Sequence, residues 1–369
     1  MLGSSALFSP AGAGESEMER ITREILAPPP LKAEPGFQIK LLVPPGHFYD
    51  PLYVIPRGES AWVSDDGGVQ QKGDLKGGQL AEVSPTGDVK VLIKPGEAQP
   101  LVGIDIAPKS FGPYAGQIYV IGEKRPANTS DTIQRIDPAD GFKVHDVCDL
   151  PDPPGATRKP KGAFEARFGP EGSPFAGRFF AATAGNGTVY QVTPDGACKP
   201  FVVFDGKKAA GPWSIVFPAD GKSMLVSARA PGNGDKTGVI VRVWPDGRVD
   251  DKYVVETTGS IAGFGYAPKT FGKYGGQLFI VTSPPGIFAD GRSKEGEEGP
   301  MLVRGRQAKS SIARVAADGT IHTVATGFLV PVGLQFFKDK FWVTDVAGDY
   351  WNFERRQIPD GFVAEIRPE

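Results

Sequence analysis

The chain has 369 residues, 40% of them hydrophobic, and a formal net charge of -2. That balance, with no polybasic run, gives no electrostatic ground for binding nucleic acid or an anionic membrane, and no apolar stretch approaches the length of a membrane span. Two cysteines and three histidines exclude a disulfide framework and a metal site built from many Cys or His side chains.

The N-terminal run MLGSSALFSPAGAGESE lacks a basic n-region and is not read as a signal peptide. Ala11-Gly12-Ala13 resembles a cleavage site. The expected location is therefore periplasmic or secreted if a leader has been trimmed there, and cytoplasmic otherwise. Met18, Ile21, Ile25 and Leu26 share one helical face, so a short amphipathic helix is expected over 17–26. The APPPL run at 27–31 then enforces an extended linker. Residues 1–33 are taken as an extension and 34–369 as one domain.

From residue 34 onward the sequence repeats itself. IAPKSFGPYAGQIYVIG, from Ile106, returns as YAPKTFGKYGGQLFIVT from Tyr266, and more loosely as FGPEGSPFAGRFFAAT from Phe168. Turn pairs recur after each β-like run, at Thr86-Gly87, Asp140-Gly141, Asp195-Gly196, Asp246-Gly247 and Asp318-Gly319. Such pairs supply the positive φ angles that tight hairpins need.

Between these marks lie sets of four short strands. Blade one is PLYVIPRG, SAWVSDD, GQLAEVSP, GDVKVLIK. Blade two is LVGIDIAP, GQIYVIGE, DTIQRIDP, KVHDVCDL. Blade three is GAFEARFG, GRFFAATA, GTVYQVTP, CKPFVVFD. Blade four is WSIVFPAD, SMLVSARA, GVIVRVWP, DDKYVVE, and blade five is IAGFGYAP, GQLFIVTS, SSIARVAA, TIHTVATG. The sixth unit has only VGLQFFK, KFWVTDV and GFVAEIRP; its missing strand is FQIKLLV at the other end of the chain. The pattern predicts an all-β, six-bladed β-propeller whose last blade is closed by the N-terminal strand, residues 37–43 lying beside 362–368. That closure hides two sheet edges.

Propellers carry ligands at one mouth of the central channel, which narrows the candidates. Glu165, on an innermost strand, is a desolvated acid–base group or one half of an ion pair. Asp50 starts an innermost strand and is a ligand or a turn cap. His47 is a base at the mouth or a surface loop residue. Arg229 grips a carboxylate or bridges two blades. Trp213, Phe164 and Phe264 are expected as apolar walls, with Glu123, Asp345 and Asn186 as polar contacts. VSDD and VTDV match each other, which also suits Asp65, Asp66 and Asp345 to a structural task repeated between blades. The insert at 283–309 is a lid or a surface loop. Cys148 and Cys198 fall beside neighbouring outer strands, either bridged or as two buried thiols.

The runs FWVTDVAGDYW and GNGTVYQVTPDG, with the blade count and closure, resemble the six-bladed propeller superfamily that holds the gluconolactonase–regucalcin group, paraoxonases, strictosidine synthase-like and NHL-repeat proteins. The resemblance implies a small-molecule enzyme, an ester or lactone hydrolase, with catalytic Glu165, Asp50, His47 and Arg229. In the gluconolactonase–regucalcin group a metal takes one Glu, one Asp and two Asn. The matching positions here offer Asp50 and Glu165, with Val102, Trp213, Ala262 and Val332 elsewhere. One calcium ion on Asp50 and Glu165 is the corresponding cofactor expectation. The alternatives are a metal-free lyase, isomerase or condensing enzyme on an apolar substrate, a non-enzymatic ligand- or protein-binding propeller and, more distantly, a quinone-dependent dehydrogenase, which GPWSIVFPADGKSMLVSARA faintly resembles. The expected partner is a small organic substrate, and the expected state a monomer or weak dimer.

Overall fold

Strands of five or six residues bounded by glycine turns cannot form one broad sheet; they stack as small sheets around an axis. The computed structural model describes residues 26–67, 78–122, 130–155, 162–231, 237–283, 310–347 and 359–369, with short pieces at 19, 22–23, 70–71 and 74–75. Among the described residues its strands form six antiparallel sheets of four or five strands, beside a two-stranded ribbon of Gln70–Gln71 and Asp74–Leu75.

Blade one is Pro51–Arg57, Ser60–Asp65, Gln79–Val83 and Val89–Ile93. Blade two is Leu101–Ile106, Ile118–Gly122, Thr132–Asp137 and Lys143–Asp149. Blade three is Ala163–Phe168, Phe179–Thr183, Thr188–Val192 and Cys198–Val203. Blade four is Ile215–Val216, Met224–Arg229, Thr237–Val243 and Val255–Thr258. Blade five is Ser260–Tyr266, Leu278–Ser283, Ser310–Val315 and Ile321–Phe328, with Lys32–Ala33 added outside as a fifth strand. Blade six is Pro331–Phe336, Phe341–Asp345, Gly361–Pro368 and, outermost, Phe37–Phe48.

The closure is as expected. Phe37 pairs with Pro368, Ile39 with Ile366 and Val43 with Val363. The Phe37 ring then stacks on Tyr274 of blade five at 4.5 Å. Gly36 precedes it at φ +92°, where a Cβ would lie 2.6 Å from the Tyr274 hydroxyl; both the angle and the space demand glycine.

Alternation along the strands builds the core. Val54, Val63 and Ala81 turn one face of blade one to Trp342 and Val363 of blade six. Ile55, Trp62 and Leu80 turn the other face to Ile104 and Tyr119 of blade two. Both faces of each sheet are thus buried at period two. The Phe-Gly-x-Tyr-x-Gly repeats are turns. Ala107 N–H donates to the Gln117 carbonyl at 2.8 Å, and Ala267 N–H to that of Gln277 at 2.9 Å. Phe111 and Phe271 are the buried plugs of these turns.

Blade four departs from the sequence reading. Its outermost strand is Val255–Thr258, not 250–256, because Asp250 accepts from the Trp244 indole at 2.6 Å and Asp251 pairs with Lys208 at 2.6 Å. Its innermost strand shrinks to Ile215–Val216 between Pro212 and Pro218, which cannot donate to a ladder. Cys148 and Cys198 form a disulfide between the outermost strands of blades two and three. Of the helix expected over 17–26, Glu19, Thr22 and Arg23 are helical and Leu26 lies in a turn; the rest, like 284–309 of the insert, lies outside the described residues.

Candidate functional site

All five ladders long enough to show it carry the same irregularity at the mouth where innermost strands begin. From Pro51 to Val54 the strand advances three residues while its neighbour moves two, Asp65 to Val63. The same extra residue falls between Leu101 and Ile104, Ala163 and Ala166, Ile261 and Phe264, and Pro331 and Leu334. In blade four, Ser214 N–H donates to Ser227 Oγ at 2.9 Å and Ser227 N–H to the Ser214 carbonyl at 3.0 Å. Tyr53 N–H meets Ser64 Oγ in the matching way. Each strand is therefore bulged at two consecutive residues.

The first residues of these pairs are Leu52, Val102, Phe164, Trp213, Ala262 and Val332, an entirely apolar set. Phe164 and Trp213 stack with ring centroids 5.1 Å apart. The second residues are Tyr53, Gly103, Glu165, Ser214, Gly263 and Gly333. A Cβ on Gly103, Gly263 or Gly333 would come within 2.2 Å of the carbonyl oxygen of Phe164, Val332 or Leu52 on the next blade. Glycine there lets adjacent innermost strands approach.

By this register Asp50 and Glu165 are not equivalent. Glu165 matches Tyr53, three residues further along the strand than Asp50. Their surroundings differ accordingly. Glu165 is paired with Arg167, accepts the Ser214 hydroxyl, and accepts Ile215 N–H at 3.1 Å. Burial raises its pKa, while Arg167 and the hydrogen bonds pull it back. Asp105 accepts Phe168 N–H at 2.8 Å and lies within the field of Arg167. Asp105, Arg167, Glu165 and Ser214 thus link blades two, three and four.

Asp50 lies one step outside the apolar set, 5% exposed. Its pKa is held well above the usual carboxylate range by burial, then by the charges of Asp66, Asp360 and Asp65 and by a hydrogen bond with Asp66. Asp66 and Asp360 are themselves buried. Asp65 anchors the group: its carboxylate accepts the N–H groups of Tyr49, Asp50 and Gly67 at 2.8–3.0 Å.

The other expected residues fall as follows. Asp345 repeats the Asp65 clamp, accepting Leu329, Val330 and Ala347 N–H at 2.8–2.9 Å, so its carboxylate is committed to a loop. Phe264 is not at the mouth. It is buried between blades four and five with Leu225, Ile240 and Leu278, because the bulge turns it into the sheet-to-sheet core. Asn186 is bound within its own turn to Thr183 and to Tyr190 at 2.7 Å. His47 is exposed at the far end of the long outer strand, tied in by its carbonyl to Gln79. Arg229 pairs through its backbone with Ala210, and its guanidinium lies against Gly211. Glu123 lies outside the described residues. Sequence reasoning did not single out Asp360, Tyr53 or Arg167. Tyr53 could have been found from the V-G and A-G steps that mark the bulges, and Arg167 from its place two residues after Glu165 on one strand face.

Among the described residues no helix is long and apolar enough to cross a membrane. No family model matches the chain, and no curated protein matches it by sequence. Solved structures do match. A luciferin-regenerating enzyme aligns at 11% identity and TM-score 0.56, over 90% of this chain and 95% of that one. A glucose dehydrogenase aligns at 11% identity and TM-score 0.55, over 89% and 98%. A protein provisionally assigned as a gluconolactonase aligns at 11% identity and TM-score 0.51, over 91% and 94%. By its own strand ladders and by these likenesses, the chain is a six-bladed β-propeller of the fold used by gluconolactonase-like and dehydrogenase propellers.

Proposed function

We propose that the chain is an enzyme that hydrolyses an ester or lactone bond in a small, partly apolar molecule at the channel mouth. The observation that carries this reading is the hydrogen-bonded carboxyl pair Asp50–Asp66, buried beside an apolar set of side chains. Two carboxyls in contact cannot both ionise, so one keeps its proton at neutral pH. In this reading the proton rests on Asp50, whose pKa burial and the neighbouring carboxylates raise.

The chemistry balances with this pair alone. Asp66, ionised, takes a proton from water as the water oxygen bonds to the substrate carbonyl carbon. Asp50 gives its proton to the leaving oxygen as the carbon–oxygen bond breaks. The products are an acid and an alcohol, and the pair again holds one proton, now on Asp66. Phe164 and Trp213 supply the flat apolar wall against which the substrate lies. Glu165 stands outside the chemistry, since Arg167, Ser214 and Ile215 already engage it.

The expected calcium pair is split between two surroundings: Asp50 lies among Asp65, Asp66 and Asp360, and Glu165 against Arg167, Ser214 and Ile215. Among the described residues no three His, Cys, Asp or Glu side chains are grouped to hold a metal ion. The residues do not fit that two-carboxylate site, and no step here passes through a metal.

The test is a panel of p-nitrophenyl esters and aliphatic γ- and δ-lactones. Asp50→Asn and Asp66→Asn should each lower kcat by about 10²–10⁴-fold, the range of a general acid or base. Incorporation of ¹⁸O from labelled water distinguishes hydrolysis from elimination or isomerisation. Full activity in both variants would remove the pair from the mechanism.

A further inference from the structure

The Asp50 position recurs in blade five as Ser260. It starts the innermost strand, one step ahead of the bulge, and pairs with Ser283 at the end of the second strand. Ser310 starts the third strand, so three serines cross the top of blade five. Two of them are satisfied. Ser310 Oγ donates to the Leu329 carbonyl at 2.9 Å and lies 3.2 Å from Ser283 Oγ. Among the described residues Ser260 Oγ has no hydrogen-bond partner, although the residue is only 2% exposed.

A buried hydroxyl without a partner is a standing cost, and native interiors leave few of them. Here the orphan is on the strand nearest the channel axis. Antiparallel partners share a face, so Ser260 lies on the same side of blade five as Ser283, the side turned to the Leu329 loop of blade six. Ala262, two residues on, is on that side too and packs in the cluster that holds Trp213, Phe328 and Phe362. Ser260 therefore lies at the level of Asp50, just outside the apolar set to which Ala262 belongs, with blade six between its strand and that of Asp50.

We infer that Ser260 is a substrate-binding residue whose hydroxyl donates to an oxygen of the bound molecule. For an ester or lactone that oxygen is the acyl carbonyl, so this inference rests on the hydrolase reading. The bound oxygen satisfies the orphan, and the apolar remainder of the substrate covers Trp213 and Phe164. A site that hydrogen-bonds one substrate oxygen discriminates strongly against analogues lacking it. Ser260 thus selects molecules with an acceptor at one end and an apolar body.

Two measurements test this independently. Cys148 and Cys198 are joined and no free cysteine exists, so Ser260→Cys carries the single thiol of the protein. Methyl methanethiolsulfonate should modify it at least 10-fold faster than the thiol of Ser227→Cys, which is buried in blade four. γ-Nonalactone should slow that reaction in proportion to its occupancy. In kinetics on the best ester or lactone, Ser260→Ala should lower kcat/KM at least 10-fold, since the lost donor meets the acyl oxygen on which charge builds in the transition state, and Ser260→Thr should restore it. A thiol at 260 no more reactive than at 227, labelling that the lactone leaves unchanged, or an unaltered kcat/KM in Ser260→Ala each overturns the inference. Failure of the hydrolase reading looks different: the wild type turns over no ester or lactone, while the labelling measurement still decides whether Ser260 faces a ligand.

Discussion

Thr344 Oγ1 donates to the carbonyl of Leu52 at 2.5 Å, joining residues 292 positions apart in sequence. The same oxygen accepts Gly333 N–H at 2.9 Å within its own blade. One hydroxyl on blade six thus satisfies the bulge of its own innermost strand and staples the last blade to the first. Ser64 does the same between blades one and two, accepting Tyr53 N–H at 3.1 Å and donating to the Val102 carbonyl at 2.7 Å.

Both hydroxyls are fully buried, so removing either leaves main-chain groups unsatisfied. Thr344→Val and Ser64→Ala should each cost about 1–3 kcal/mol, while Thr344→Ser should be milder. Urea midpoints at constant m-value would show this. No change in midpoint would mean that the staples carry no energy.

Closure depends on Phe37–Phe48 filling the outer edge of blade six. A chain lacking residues 1–43 should show no cooperative melt, because the third strand of that blade would be left as an open edge. Phe37→Ala, which removes a 5% exposed ring stacked on Tyr274, should cost about 3–5 kcal/mol. A truncated chain that melted like the full one would refute the closure.

Burial lifts the Asp345 pKa from 3.8 to about 6, against three amide hydrogen bonds that favour the ion. The folded value exceeds the unfolded one, so this group's contribution is fully present below pH 3.8 and is lost as pH rises through about 6. The loss is on the order of 2–3 kcal/mol. Asp345→Asn should remove that slope. Urea midpoints of both proteins at pH 4 and pH 7 isolate the effect, and parallel pH profiles would contradict it.

For catalysis the acid must keep its proton and the base must lose its own. The rate should therefore rise with pH as the pair loses its first proton and fall as Asp50 loses the second. Asp50 titrates well above the ordinary carboxylate range, so the alkaline limb belongs to it. In the kcat/KM profile of Asp50→Asn that limb should vanish along with most of the rate. An unchanged alkaline limb would place the acid elsewhere.

The architecture was legible because it is written in turns. Asp-Gly pairs and the Phe-Gly-x-Tyr-x-Gly plugs recur at fixed offsets, and the terminal strands complement each other. The site was legible only in part. Counting from strand starts set Asp50 beside Glu165, but the ladders put Glu165 in the bulge and Asp50 three residues before that position. Phe264 was misplaced by the bulge itself, since the added residue turned it from the mouth into the core. The pairing of Glu165 with Ser214 follows from how neighbouring blades abut, which one strand's pattern does not encode; Arg167, two residues along the same strand, was within reach of that pattern. The Cys148–Cys198 bridge was open for the same reason: it depends on the distance between two outer strands.

Glu165 takes the ion pair that was one of its two expected arrangements. A lone desolvated carboxylate in a channel suggests an acid, but this one has Arg167, Ser214 and Ile215 N–H around it. Glu165→Gln should leave kcat within about 3-fold and instead weaken the fold. Removing one partner of a buried ion pair costs about 3–5 kcal/mol. Here the lower end is expected, because Asp105 still faces Arg167. Replacing both members, Glu165→Met with Arg167→Met, should recover part of that loss, as no uncompensated charge then stays inside. Among the described residues the Tyr53 phenol has no hydrogen-bond partner, and it lies in the field of this pair; Tyr53→Phe should therefore cost nothing or add slight stability. Thermal melts and active-site-normalised kcat for the four proteins separate the roles. A stable Glu165→Gln protein with kcat reduced about 10²-fold or more, the range of a general acid or base, would return Glu165 to the chemistry and remove it from the frame.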